Sequence, residues 1–168
     1  GFAHVSCLAE QAKILVAEAE ANNLFGSNKF DQRWVRWSTC SLCGQQYHGV
    51  VRCALGWACW KTYLGRSEGK VREREWNWKR SVAMGQLGVG LSDGDRHEEA
   101  LTVKEATLSM LRRIGASEDH FLIAQGNLSS SYHELERFDD ALPLRRDVYS
   151  GRLKLSGEEH LSTLLAAN

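Results

Sequence analysis

Two cysteines with two residues between them stand in "WSTCSLCGQQYHG", and that spacing at Cys40 and Cys43 lets one tight turn aim two thiolates at a single ion. A second pair with the same spacing, His4 and Cys7, lies in "FAHVSCL". Zinc suits this mixture, because it takes imidazole nitrogen and thiolate sulfur in a tetrahedral shell and needs no redox activity. His4, Cys7, Cys40 and Cys43 are therefore the candidate metal ligands, and zinc the candidate cofactor. Other arrangements use the same residue types. Cys53 and Cys59 could complete a local four-cysteine site with Cys40 and Cys43, His48 could replace one of them, and His4 and Cys7 could be a capped turn with a buried thiol. The run around Cys53 and Cys59, "VVRCALGWACW", is apolar and aromatic, a setting in which thiols more often fill core space. A cysteine nucleophile needs a base and an orienting group. No pattern in the chain supplies that pair.

Between the two candidate pairs runs "LAEQAKILVAEAEANN", whose Ala, Leu, Glu and Lys are strong helix formers. Trp34, Trp37, Trp57 and Trp60 read as core aromatics that hold a small cysteine module against whatever follows. All five cysteines precede residue 65, so the chain changes character there, and the charged stretch Gly65 to Arg80 reads as a connecting helix or linker.

Composition limits the partners. The 168 residues are 43% hydrophobic, enough to bury a core, and 21 basic side chains balance 21 acidic ones. With no net positive field, nucleic acid is not expected as a partner. The longest apolar run, Val50 to Trp60, is about half the roughly 20 residues of a spanning helix, and Arg52 interrupts it, so no membrane span is expected. The odd cysteine count without a secretion signal points to reduced thiols or metal ligands in a cytosolic or nuclear compartment, with a cytoplasmic location expected. Opening on Gly1 and stopping inside a helical pattern at "LLAAN", the chain reads as a piece of something longer.

After residue 80 the chain repeats itself. A shift of 41 positions pairs Ala83 with Ala124, Leu87 with Leu128, Arg96 with Arg137, Ala100 with Ala141, Leu101 with Leu142 and Asn127 with Asn168. Each unit has a helical stripe, a polar turn and a second stripe, which predicts helical hairpins over 81–122 and 123–163 and the start of another at 164–168. Small residues at Gly88, Ser129, Ala100 and Ala141 mark close helix approach. Pro143 falls near the first turn of a second helix, where its missing N–H is tolerated. The expected fold is mainly α: an incomplete zinc-finger module over 1–50, a connecting helical segment over 51–80, and a solenoid fragment whose hairpins need neighbours to bury their faces.

The spacing in "MGQLGVGLSDGDRHEEAL" and "QGNLSSSYHELERFDDAL" resembles the tetratricopeptide repeat, in the long-period form of kinesin light chains. The resemblance implies a concave groove for extended peptides, faced by Asn127 and its counterpart Asn168. An amide that both donates and accepts suits a peptide backbone, although the same group could satisfy the neighbouring hairpin. "GFAHVSCL" and "CSLCGQQY" resemble the last four ligands of a RING-CH zinc finger, with a longer spacer than is usual and the first four ligands upstream of Gly1, if they exist. That resemblance assigns His4 with Cys7 and Cys40 with Cys43 to different zinc ions, each with half its shell. A piece of this kind is expected to bind zinc weakly or to be loosely ordered in its first third. It further implies a component of a ubiquitin ligase that positions a ubiquitin-conjugating enzyme, with Leu8 and Leu42 as contact residues. This chain alone would lack that activity. A different reading is a non-enzymatic scaffold in which the cysteine region only caps the repeats and protein or peptide binding is the whole function.

Overall fold

The computed structural model describes residues 4–64 and 73–166, and these residues are mainly helical. Helix α1, Val5–Ala21, buries Ala12, Val16 and Ala19 at four- and three-residue spacing, one face of a helix. The Ser27 hydroxyl caps α2, Asn28–Trp34, by accepting from the Phe30 N–H at 3.3 Å. A 3-10 turn, Val35–Trp37, then swings the Trp37 ring inward until 1% of it is exposed.

Helix α3, Gly49–Leu64, and α4, Glu73–Asp93, lie against each other backbone to backbone. A β-carbon added at Gly90 would sit 2.8 Å from the Arg52 carbonyl oxygen, and one at Gly56 would sit 2.9 Å from the Gln86 carbonyl oxygen. The two glycines allow this approach by having no side chain. One apolar cluster joins α1, α2 and the 3-10 turn to α3 and α4: Val16, Phe30, Trp34 and Trp37 meet Cys59, Tyr63 and Ala83. Trp57 and Trp60 are half-buried against the cores, as expected of packing aromatics. Lys79 on α4 reaches Glu20 of α1 at 3.1 Å. The segment 51–80 contains most of α3 and the start of α4; its residues 65–72 lie outside the described part. The first third packs through buried apolar and aromatic side chains.

Helices α4 and α5, His97–Arg113, form one hairpin, and α6, Glu118–Glu134, and α7, Phe138–Ser156, form the next. A short α8, Leu161–Ala166, follows. The 41-residue period recurs as geometry. Asp95 and Glu136 both take positive φ, 60° and 59°. The next residues close the turns by donating backward, Arg96 N–H to the Leu91 carbonyl and Arg137 N–H to the Tyr132 carbonyl. Each arginine then pairs with the acid three residues on, Glu99 or Asp140. Gly88, Ser129, Ala100 and Ala141 are buried, as their size predicted. Pro143 differs from expectation: it is the sixth residue of α7, one turn deeper than the tolerated position, and it withholds an N–H from the Asp139 carbonyl.

Candidate functional site

Cys40 and Cys43 lie on a turn that the backbone holds ready. Thr39 and Gln46 form an antiparallel bridge, Cys40 N–H donates to the Gln45 carbonyl at 2.8 Å, and Gly44 N–H returns to the Cys40 carbonyl at 3.1 Å. Gly44 reverses the chain at φ 72°, a conformation that costs glycine little. Arg36 grips the Cys40 carbonyl at 3.2 Å from the preceding helical turn. The backbone N–H groups of Cys43 and Leu42 point at the Cys40 sulfur. Together with the Cys43 thiol they draw its pKa down from 9.0 to about 7, against a small opposing effect of burial. Burial, and then the Cys40 charge, raises the Tyr47 hydroxyl. Two sulfurs on one reversed turn, one already favouring thiolate, fit half of a tetrahedral zinc shell.

The other half is not beside it. His4 caps α1 and Cys7 stands in its first turn, both exposed, with His4 Nδ1 2.6 Å from the Ser6 hydroxyl. Among the described residues no three of His, Cys, Asp or Glu come together closely enough to hold a metal ion. The four candidate ligands are therefore two separate pairs. The local four-cysteine arrangement does not form, because Cys53 and Cys59 are buried in α3. Cys59 is fully enclosed and its thiol is pushed far up by desolvation. His48 is exposed and stands 3.5 Å from Asp93. Cys7 is exposed too, contrary to the buried-thiol arrangement. Of the two leucines expected to meet a conjugating enzyme, Leu42 is 96% exposed at the tip of the cysteine turn and Leu8 is half-buried.

These environments separate the thiols chemically. In metal-free protein, iodoacetamide is expected to modify Cys40 with a rate that rises through a midpoint near pH 7. Cys59 should stay unmodified until the chain unfolds. Peptide mapping after timed alkylation checks both, and equal rates at Cys40 and Cys59 would contradict the fold.

One concave feature is a groove of about 350 Å³ along α4, walled by α2, α5 and α6; Asp31, Trp34, Gln86, Lys104, His120 and Asn127 are among its lining residues. A second hollow of about 440 Å³ lies between α6, α7 and α8. Asn127 lines both, and among the described residues its side-chain amide makes no hydrogen bond to the protein. Its counterpart Asn168 lies outside the described residues.

Lys104 was not singled out in the sequence, yet it sits midway between Leu101 and Leu108, a cation inside an apolar stripe. That misfit was the available signal. It is 5% exposed, and its ammonium donates to the Ser92 hydroxyl at 2.8 Å and the Ser131 hydroxyl at 2.7 Å. Burial lowers its pKa, with the Glu134 charge opposing. Ser92 and His97 both reach the Glu134 carboxylate, at 3.1 and 3.2 Å, which closes the network around the helix ends.

Fold and site together define an array of helical hairpins with a concave groove and an exposed two-cysteine turn. The chain matches no protein-family model, no curated protein and no solved structure. Among the described residues no helix is long and apolar enough to cross a membrane.

Proposed function

We propose that the chain is a protein-interaction adaptor whose helical hairpins, of tetratricopeptide type, hold an extended peptide in the groove along α4. The observation that carries this reading is Asn127. Its amide stands in the groove wall between two hollows, free of partners among the described residues, and it can pair with both edges of a peptide bond. The cysteine turn is the closing part of a RING-CH-like zinc module. Cys40 and Cys43 would hold one ion together with ligands from elsewhere, and His4 and Cys7 would contribute to another. Zinc in such a shell supplies folding energy and a fixed loop geometry, not bond-making chemistry. In this reading the parent protein belongs to a ubiquitin ligase, the groove holds the substrate or partner, and Leu42 beside the zinc turn meets the conjugating enzyme.

Two measurements test the halves separately. A displayed library of random 12-residue peptides should yield binders to the 168-residue chain, and Asn127→Ala should weaken a selected peptide about tenfold, as expected for lost hydrogen bonds to its backbone. Failure to select any peptide, or an unchanged affinity in Asn127→Ala, removes the groove reading. For the cysteine turn, cobalt(II) serves as an optical stand-in for zinc. A thiolate-to-cobalt absorption band that disappears in Cys43→Ser supports the zinc module, and no band at millimolar cobalt leaves only the scaffold.

A further inference from the structure

The groove along α4 has two electrically different ends. At one end the exposed Asp31 carboxylate stands three residues before Trp34 on α2, so the two share a face of that helix. Trp34 meets Trp78 of α4 with ring centroids 6.3 Å apart and planes at 58°, and His120 of α6 stands edge-on to Trp78 at 6.0 Å. Asp31, Trp34, Trp78 and His120 all line the cavity. Among the described residues Asp31 makes no ion pair. Toward the other end α4 presents Gln86 and Val89, and there the cation Arg52 lines the same space. At 1.5 Å of rise per residue, Trp78 and Val89 are about 16 Å apart along α4, roughly the span of five extended residues.

We propose that the groove selects peptides carrying a lysine or arginine, whose cationic side chain sits at the Asp31 end against the half-buried Trp78 ring. The inference rests on the peptide-groove reading above and names the side chain that gives it specificity. A cation over an indole face is attracted by the ring's negative quadrupole, and a carboxylate at the rim adds a charge-assisted partner. Arg52 repels a second cation at the far end, so a basic side chain has one favourable seat and the peptide one favourable direction. An acidic side chain in the Asp31 seat meets the opposite field and an electron-rich ring. Neither a leucine nor a glutamate gains what a lysine or arginine gains there.

The test selects from the same displayed library of random 12-residue peptides on the full chain and on Asp31→Lys, a change at an exposed position that leaves the core untouched. Peptides bound by the unmodified chain should share a lysine or arginine at one aligned position. Replacing that residue by norleucine should weaken binding about tenfold to the unmodified chain and less than twofold to Asp31→Lys, which reports the pairing directly. Selected peptides with no basic position, or with the same basic position on both proteins, would overturn the inference while leaving the groove reading intact. No selected peptide at all would remove both. Sedimentation showing a dimer of the unmodified chain that Asp31→Lys dissociates would put a second copy in the groove and overturn the inference as well.

Discussion

Gly90→Ala lowers the free energy of unfolding by about 1–3 kcal/mol, and Gly90→Leu by more, because the new side chain collides with backbone rather than with a movable side chain. The added β-carbon would lie 2.8 Å from the Arg52 carbonyl oxygen and 3.1 Å from the Cys53 Cα. No rotamer relieves that contact, so α3 must move away from α4, and the apolar cluster of Cys53, Leu87, Leu91 and Ala100 is packed at that contact. Gly56→Ala meets the Gln86 carbonyl at 2.9 Å and should cost a similar amount. The same helix supplies a control. Gly85, with nothing within 4 Å of an added β-carbon, should gain about 0.5–1 kcal/mol on substitution by alanine, from helix propensity alone. Urea unfolding followed by circular dichroism measures all three, with the slope unchanged if only stability moves. A wild-type midpoint for Gly90→Ala would mean that α3 and α4 do not approach as closely as the fold has them.

These glycines also show where reading the chain reaches its limit. Glycine inside a helix carries no local signal that a partner backbone touches it, and Gly56 meets Gln86 only through a fold that brings back a segment thirty residues away. The hairpins were legible because their constraints repeat: Ala100 and Ala141, or Arg96 and Arg137, do the same local job 41 residues apart, so the pattern announces itself twice. The cysteines were half legible. Spacing put Cys40 and Cys43 on one turn, since that is a property of four consecutive residues, but whether four ligands gather depends on tertiary placement, and His4 and Cys7 are not gathered with them. A division at residue 50 was invited by the extent of the zinc-finger resemblance. The fold ignores it, because Trp34, Trp37, Cys59 and Tyr63 bury one another across the boundary. Pro143 was placed one turn too early because the helix start is set by the Glu136–Arg137 turn, whose positive φ falls on a residue type that does not advertise it.

Lys104→Glu is expected to cost about 3–5 kcal/mol at pH 7, while Lys104→Met leaves stability within about 1.5 kcal/mol of the unmodified chain. The contrast follows from what surrounds the ammonium. Lys104 is 5% exposed, its donors are taken by the Ser92 and Ser131 hydroxyls, and the nearest acidic influence is Glu134, which Ser92 already engages. A glutamate there keeps the desolvation cost of a charge, loses the two donated bonds and adds repulsion from Glu134. Methionine removes the charge and retains most of the stem that fills the space beside Gly88, where a β-carbon would already touch Lys104 Cγ at 2.9 Å. Against it count only two serine hydroxyls, each able to donate to a carbonyl one turn back. The pH dependence carries its own sign. Because burial lowers the Lys104 pKa below 10.5, the unfolded chain binds the proton more tightly than the folded one. Unfolding then takes up a proton between the lowered pKa and 10.5, and the contribution of Lys104 to stability rises with pH across that interval. Urea midpoints from pH 7 toward 10.5 should therefore climb more in the unmodified chain than in Lys104→Met. Parallel curves would place the ammonium in water, and a tolerated Lys104→Glu would do the same.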